Sequence, residues 1–360
     1  MYDIQLGDRA IGANHAPFVI AELSGNHDQS LDKALAMVDA AAACGADAIK
    51  LQTYTADSMT LDMHDNEFLI QDAENLWQGR SLYSLYQQAM TPEAWHQPLF
   101  DRAKALGMQA FSSPFDVRAV EFLESLDVPC YKIASFENSD HALLAAVAKT
   151  GKPVIVSTGM ASLSELTESV EVLRQHGCKE LILLKCTSNY PARPVDANIN
   201  TIPHLARLFD CQVGLSDHTA GIGVGVASVA LGATVIEKHF VLDRSEGGVD
   251  AEFSLEPAEF SQLVTECHRA KDALGTVFYG ATEREQASRR FRRSLYIAED
   301  MHAGDIFTAQ NLRSIRPGLG LAPKYLPLFL GRAVSKNLKK GTALSWEHLA
   351  DKPVTSQVLL

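Results

Sequence analysis

Cysteine is scarce and unpaired in this chain. Its six copies among 360 residues include no C-x-x-C spacing, so no zinc ribbon, redox pair or disulfide framework can be read from them. They are expected to be reduced core thiols of a cytoplasmic protein, with Cys186, at a strand end, the one placed for chemistry. Positive charge is also short: 32 Lys and Arg face 44 Asp and Glu, a net charge of −12 with pI ≈ 5.5. That balance excludes nucleic acid or an anionic membrane as the main partner. No apolar run approaches the ~20 residues of a membrane span. The opening Met1-Tyr2-Asp3-Ile4-Gln5-Leu6 has neither the basic nor the apolar region of a signal peptide. Walker and G-x-S-x-G motifs are absent. Gly221, Gly223 and Gly225 miss the dinucleotide fingerprint because the third glycine comes one position early.

What the chain does have is a repeated ending. Eight short apolar runs each stop at a polar residue. Phe18–Ala21 is closed by Glu22, Ala48-Ile49 by Lys50 and Gln52, Met108–Phe111 by Ser112-Ser113, and Tyr131–Ala134, which carries Lys132, by Ser135. Val154–Val156 is closed by Ser157, Leu181–Leu184 by Lys185, Val213–Leu215 by Ser216-Asp217-His218, and Val235-Ile236 by Glu237-Lys238-His239. Continuous runs suit parallel strands buried on both faces. Amphipathic helix-length segments separate most of them, at 31–44, 91–106, 117–126, 141–149, 162–176 and 221–232. The expected fold is α/β, a (β/α)8 TIM barrel over residues 1–280 with its active site where the strands end.

After a helix over 257–274 and a charged linker over 281–294, the texture changes to short strands and turns. Asp300-Met301-x-x-Gly304-Asp305 through Asn311-Leu312 matches Asn337-Leu338-x-x-Gly341-Thr342 through His348-Leu349 position by position. Two copies of one unit predict a small pseudo-symmetric domain over 295–352. The Gly/Pro-rich stretch from Arg316 to Pro323 lies between the copies.

His218 and His239 close neighbouring strands, whose ends lie about 5 Å apart, so both imidazoles can reach one divalent cation. Two histidines leave an open site for water or substrate. Lys50, Lys132 and Lys185 must find anions or lose their protons inside a barrel mouth. They read either as a phosphate cradle with Ser113, Ser135, Ser157 and Ser216, as a Schiff-base site at one lysine, or as structural ion pairs with Glu137 or Glu237. Glu22 beside such a site is a candidate general acid/base.

These residues carry a resemblance. Ala21-Glu22-Leu23-Ser24-Gly25-Asn26-His27, Lys50-Leu51-Gln52-Thr53-Tyr54, Phe111-Ser112-Ser113-Pro114-Phe115, Tyr131-Lys132-Ile133-Ala134-Ser135, Ser157-Thr158-Gly159-Met160, Gly214-Leu215-Ser216-Asp217-His218 and Ile236-Glu237-Lys238-His239-Phe240 resemble the sialic acid synthase family. That family condenses phosphoenolpyruvate with an amino sugar. The C-terminal unit resembles its antifreeze-like (SAF) domain. Leu82-Tyr83-Ser84-Leu85-Tyr86, Thr91-Pro92 and Ala134-Ser135-Phe136-Glu137 point to the pseudaminic acid branch, with the sialic and legionaminic branches as alternatives. Cys186-Thr187-Ser188-Asn189-Tyr190-Pro191 departs from the Cys-Thr-Asn run before Tyr and Pro that sialic acid synthases tend to carry.

The resemblance implies that Lys50, Ser113, Lys132, Ser135, Ser157, Ser188 and Ser216 hold phosphoenolpyruvate. It implies that His218 and His239 bind Mn2+ or Mg2+, and that Glu22 moves a proton. Gln52, Glu137, Tyr190, Asp250 and Phe253 would line the sugar site. Arg316 would join them from a partner subunit in a homodimer with exchanged C-terminal domains. The rival readings are a Schiff-base aldolase at Lys132 or Lys185 and a non-enzymatic carbohydrate-binding barrel.

Overall fold

A computed structural model of the protein describes residues 2–72 and 76–350; residues 351–352 of the expected C-terminal domain lie outside the described residues. The chain divides into two compact units between Gly275 and Thr276.

The first unit opens with a hairpin of β1 (Ile4–Leu6) and β2 (Arg9–Ile11). Eight parallel strands follow: β3 (Phe18–Glu22), β4 (Ala48–Thr53), β5 (Gln109–Pro114), β6 (Tyr131–Ile133), β7 (Val154–Ser157), β8 (Leu181–Cys186), β9 (Gln212–Asp217) and β10 (Val235–His239). They close into a barrel, β10 pairing with both β9 and β3. Each expected run falls on one of these strands to within one residue, Met108 preceding β5 and Ala134 following β6. Their residues are almost all buried, as parallel strands covered by helices must be. The hairpin contacts residues where strands begin: Arg9 pairs with Asp47, and Gln212 donates to the carbonyl of Tyr2. It therefore covers the end of the barrel away from the polar strand endings.

The helices start where local chemistry lets them. Ser30 caps Leu31–Ala43, Asp116 caps Val117–Ser125, Asp140 caps His141–Lys149, and Ser162 with Glu165 forms a capping box on Leu163–Gln175. Two features go beyond the sequence pattern. A helix at Thr201–Phe209, buried along Ile202, Leu205, Ala206 and Phe209, joins β8 to β9. The connection after β4 is a long excursion through residues 54–92. It contains the helix Leu82–Ala89 and precedes the barrel helix Glu93–Ala105.

The second unit contains β11 (Ser294–Ile297), antiparallel to β12 (Leu312–Ile315), around a core that includes Leu295, Met301, Phe307, Phe329, Leu338 and Leu344. The sequence echo is a structural one. Met301 and Leu338 exchange backbone hydrogen bonds, each 2.8 Å. The first residue of each copy caps the other copy: Lys340 N–H donates to Asp300 Oδ1 and Ala303 N–H to Asn337 Oδ1. The linker expected at 281–294 carries a short 3-10 helix, Ala287–Phe291. Among the described residues, no helix is long and apolar enough to cross a membrane.

Candidate active site

Strand parity decides which polar endings meet. Glu22 pairs in register with Lys50, Gln52 with Ser113, and Glu237 with Ser216. Neighbours in a parallel barrel share a face, so these side chains converge inside. Glu237 is their hub. Its carboxylate lies 3.3 Å from Lys132 Nζ and 3.5 Å from Lys50 Nζ, and it accepts a hydrogen bond from Ser216 Oγ at 2.9 Å. Lys50 also lies 2.7 Å from Glu22 Oε2 and 3.4 Å from Ser113 Oγ, while Gln52 Nε2 donates to Glu22 Oε1 at 3.0 Å. Lys50 and Lys132 are 4% and 1% exposed. Neither can rely on water for its charge, so the carboxylates are what keep them in place.

Burial and the paired charges shift every titratable member of the nest. Burial alone would push Glu237 up, but Lys132, Lys50 and the Ser216 hydroxyl take it down to about 2. Burial, with Glu237 nearby, raises Glu22 against the pull of Lys50. Burial opposes the ammonium of Lys50, yet Glu22 and Glu237 hold its pKa above the ordinary value. Lys132 is pulled down by burial because Glu237 compensates it only partly. Two buried lysines thus converge on one firmly ionised carboxylate, Glu237, and Lys50 has Glu22 as a second partner.

Hydroxyls surround this centre. Ser157 Oγ is buried with no hydrogen-bond partner. Ser135 Oγ accepts from the backbone N–H of Gly159 at 3.2 Å. A Cβ on Gly159 would fall 2.1 Å from Ser188 Oγ and 2.6 Å from Ser135 Oγ, so this position of the Ser157-Thr158-Gly159-Met160 motif has no room for a side chain.

His218 follows β9 and His239 ends β10, their ring centroids 5.3 Å apart. The Nδ1 edge of His218 faces the Thr187 carbonyl at 3.2 Å and Cys186 Sγ at 3.8 Å. His239 Nδ1 has no hydrogen bond and lies 3.9 Å from Asp250 Oδ2. Burial, reinforced by His218 and the lysines, holds His239 neutral, well below the ordinary histidine range. A neutral imidazole with an orphaned nitrogen opposite a second imidazole suits a divalent cation. Among the described residues no group of three or more His, Cys, Asp or Glu is arranged as a ligand set, so the pair fits only as an open site.

A cavity of about 400 Å³ adjoins the nest, lined by Gln52, Glu137, Ser188, Tyr190, His239 and Asp250 together with an apolar set. Phe253 packs edge-on to His239 and against Tyr190. Asp250 accepts from Ser24 Oγ, and its N–H donates to Asn26 Oδ1; Asn26 Nδ2 reaches the Phe240 carbonyl. The Ser24–His27 motif thereby fixes the loop that carries Asp250. Glu137 has a buried, unpartnered Oε2, and burial pushes its carboxyl up to about 7.

Lys185 does not join the cradle. Its ammonium donates to the Cys186 carbonyl at 2.7 Å and to Thr187 Oγ1 at 3.3 Å, because strand alternation puts Lys185 on the opposite face from Cys186, the register partner of Ser216. Arg316 is exposed just beyond β12 in the second unit. Glu237, considered from sequence only as an ion-pair partner, is the centre of the nest. Tyr54, Tyr86, Trp77 and Phe115 were not singled out as cavity residues; their only signal was membership in the quoted motifs or clustering of aromatics after β4.

Comparison with known proteins decides the lineage. Residues 37–279 match the model described as the NeuB family, and residues 292–350 match the SAF domain. The chain belongs to the NeuB family. The expected sialic acid synthase lineage therefore holds, as does the barrel followed by a SAF domain. A NeuB-family relative, pseudaminic acid synthase of Campylobacter jejuni, is 45% identical over 327 residues, covering 91% of this chain and 95% of the relative. Pseudaminic acid synthase of Helicobacter pylori is 42% identical over 334 residues, covering 92% and 98%. The crystal structure of N-acetylneuraminic acid (sialic acid) synthetase from Leptospira borgpetersenii, in complex with citrate, superposes with a TM-score of 0.71. It is 35% identical and covers 80% of this chain and 95% of that one.

Proposed function

We propose that this NeuB-family enzyme is a pseudaminic acid synthase. It would condense phosphoenolpyruvate with a 2,4-diacetamido-2,4,6-trideoxy hexose, giving the nine-carbon acid and phosphate. The observation that carries this reading is the nest: two buried lysines around the Glu237 carboxylate, with the unpartnered Ser157 hydroxyl ending the strand next to that of Lys132. A phosphorylated carboxylate is a ligand that two buried lysines and an unpartnered hydroxyl can hold. The identity of 45% to the Campylobacter enzyme, against 35% to the sialic acid synthetase, supports the pseudaminic branch over the sialic one.

Lys50, Lys132, Ser113, Ser135, Ser157, Ser188 and Ser216 would hold the phosphate and carboxylate, which is positioning and charge stabilisation. His218 and His239 would hold Mn2+ or Mg2+, which when bound supplies Lewis-acid polarisation of the sugar aldehyde. The C3 methylene of phosphoenolpyruvate forms the new bond to sugar C1, leaving cationic character at C2. Water adds at C2, and the C–O bond to phosphate breaks. Glu22, whose pKa burial raises against the pull of Lys50, would exchange a proton at the C2 centre. Gln52 orients it through Oε1. Gln52, Glu137, Tyr190, Asp250 and Phe253 would receive the sugar. Arg316 would reach it from the partner in a cytoplasmic homodimer with exchanged C-terminal domains, its rigid, permanently charged fork suited to an acetamido carbonyl.

Mass spectrometry of a reaction holding protein, phosphoenolpyruvate and Mn2+ tests this. The expected result is a condensation product with the diacetamido-trideoxy sugar and release of phosphate. Product from N-acetylmannosamine alone would overturn the branch assignment. A borohydride-trapped pyruvate adduct on Lys132 would replace the reaction by Schiff-base chemistry.

A further inference from the structure

The walls of the sugar cavity divide by chemistry. Its polar groups, Gln52, Glu137, Ser188, His239 and Asp250, come from strand ends and the short segments beyond them. Among the described residues, the excursion after β4 contributes carbon and aromatic side chains, chiefly Met59, Ile70, Trp77, Leu82, Leu85 and Tyr86. That side offers carbon and aromatic rings, apart from phenol and indole edges.

The excursion is built rather than draped. Ser81 caps the helix Leu82–Ala89. At the other end of that helix, a Cβ on Gly25 would lie 2.9 Å from Ala89 Cα, so the segments touch backbone to backbone. Gln29 Nε2 donates to the carbonyls of both Gln88 and Met90, at 2.9 and 2.7 Å. Tyr54 stands edge-on to Tyr86 and to Phe115, with centroids 5.8 and 5.1 Å apart. A wall held this way stays apolar when substrate arrives.

We infer that the excursion is the specificity-determining element of the reaction. It selects amino sugars whose far end finishes in methyl groups, an acyl methyl and a deoxygenated C6, over sugars that carry hydroxyls there. The inference rests on the proposed function and deepens it. The aldehyde end of the sugar must face the nest, so the opposite end extends among the loops, where the excursion lies. A hydroxyl against the aliphatic part of this wall, Met59, Leu82 and Leu85, gives up water and finds no partner. A methyl loses nothing and gains contact. A hydrophobic pocket rejects an added hydroxyl by about 10²-fold.

Steady-state condensation with saturating phosphoenolpyruvate and Mn2+ tests it. Wild type and Met59→Gln/Leu82→Gln are compared on a 2,4-diacetamido-2,4,6-trideoxy hexose and its 6-hydroxy counterpart. Wild type should prefer the 6-deoxy sugar in kcat/KM by ~10–100-fold. The double variant should lose about tenfold of that preference through the sugar terms, while the KM for phosphoenolpyruvate stays put. An unchanged preference in a folded variant would overturn the wall as selector and leave the proposed function standing. Failure of the wild type to condense either sugar would overturn both. Should the double variant not fold, Met59→Gln alone, on a half-buried side chain, carries the same comparison with a roughly threefold shift.

Discussion

The nest and the wall adjoin each other, joined where Gln52 lines the cavity and holds Glu22, but they are made differently. Every member of the nest stands on or just beyond a barrel strand: Glu22 on β3, Lys50 on β4, Ser113 on β5, Lys132 on β6, Ser157 on β7, Ser216 on β9, Glu237 on β10. Barrel register sets their spacing, and their electrostatics are coupled through Glu237. The wall stands on one inserted segment, tied down at Gly25 and Gln29. It bears on the reaction through shape and dryness. Chemistry common to a lineage fits a shared rim, whereas selection among substrates fits a segment that can change without disturbing that rim.

The sharpest way to break the comparison is to damage the nest. Lys132→Met removes one of the two ammonium groups around Glu237. It should lower kcat/KM for phosphoenolpyruvate about 10³-fold, and a loss under tenfold would show that the lysines are structural. In the same series Lys50→Met strands two buried carboxylates. It should cost about 3–5 kcal/mol of stability in urea unfolding, where a wall substitution costs far less.

Glu22→Gln separates chemistry from binding. Turnover should fall ~10²-fold or more, while phosphoenolpyruvate binding measured by calorimetry stays nearly intact. Normal turnover would remove Glu22 from the mechanism. Arg316→Ala should then raise the KM for the sugar about tenfold with a much smaller change for phosphoenolpyruvate. Equal changes in both would contradict a role over the sugar.

The smallest expected effect concerns pH. Glu137 keeps its proton up to about 7 in the fold, against an ordinary value of 4.5. Between those values the folded chain binds a proton that the unfolded chain has released. The stability this group contributes is therefore present below about 4.5 and lost as pH rises toward 7. Glu137→Gln cannot titrate, so it should gain on wild type by ~1–2 kcal/mol between pH 5 and pH 8. Urea midpoints at the two pH values check the sign, and a constant difference would show that Glu137 titrates normally.

The same contrast explains what could be read in advance. Strand-borne groups were legible because each ends an apolar run, and eight such endings imply one rim. Parity was not legible. Strands buried on both faces give continuous runs in which alternation is erased, so Lys185 looked equivalent to Lys50 and Lys132. Structure turns it away, just as it turns Lys238 outward to Asp217 at 2.8 Å. Glu237 was visible as a residue but not as the hub, because two lysines from other strands define it. The wall was the least legible part. Its side chains follow no single period and are brought together only by the path of residues 54–92. In the second unit the repeat was legible down to the reciprocal caps at Asp300 and Asn337, since internal similarity needs no knowledge of packing.

One measurement bears most directly on the nest as the phosphoenolpyruvate site: diffraction from crystals soaked with phosphoenolpyruvate and Mn2+, with data collected at the manganese edge. The expected result is an anomalous peak between His218 and His239 and a phosphate in contact with Lys50, Lys132 and the Ser157 hydroxyl. Phosphoenolpyruvate bound elsewhere, with Lys50 and Lys132 still paired only to Glu22 and Glu237, would contradict it.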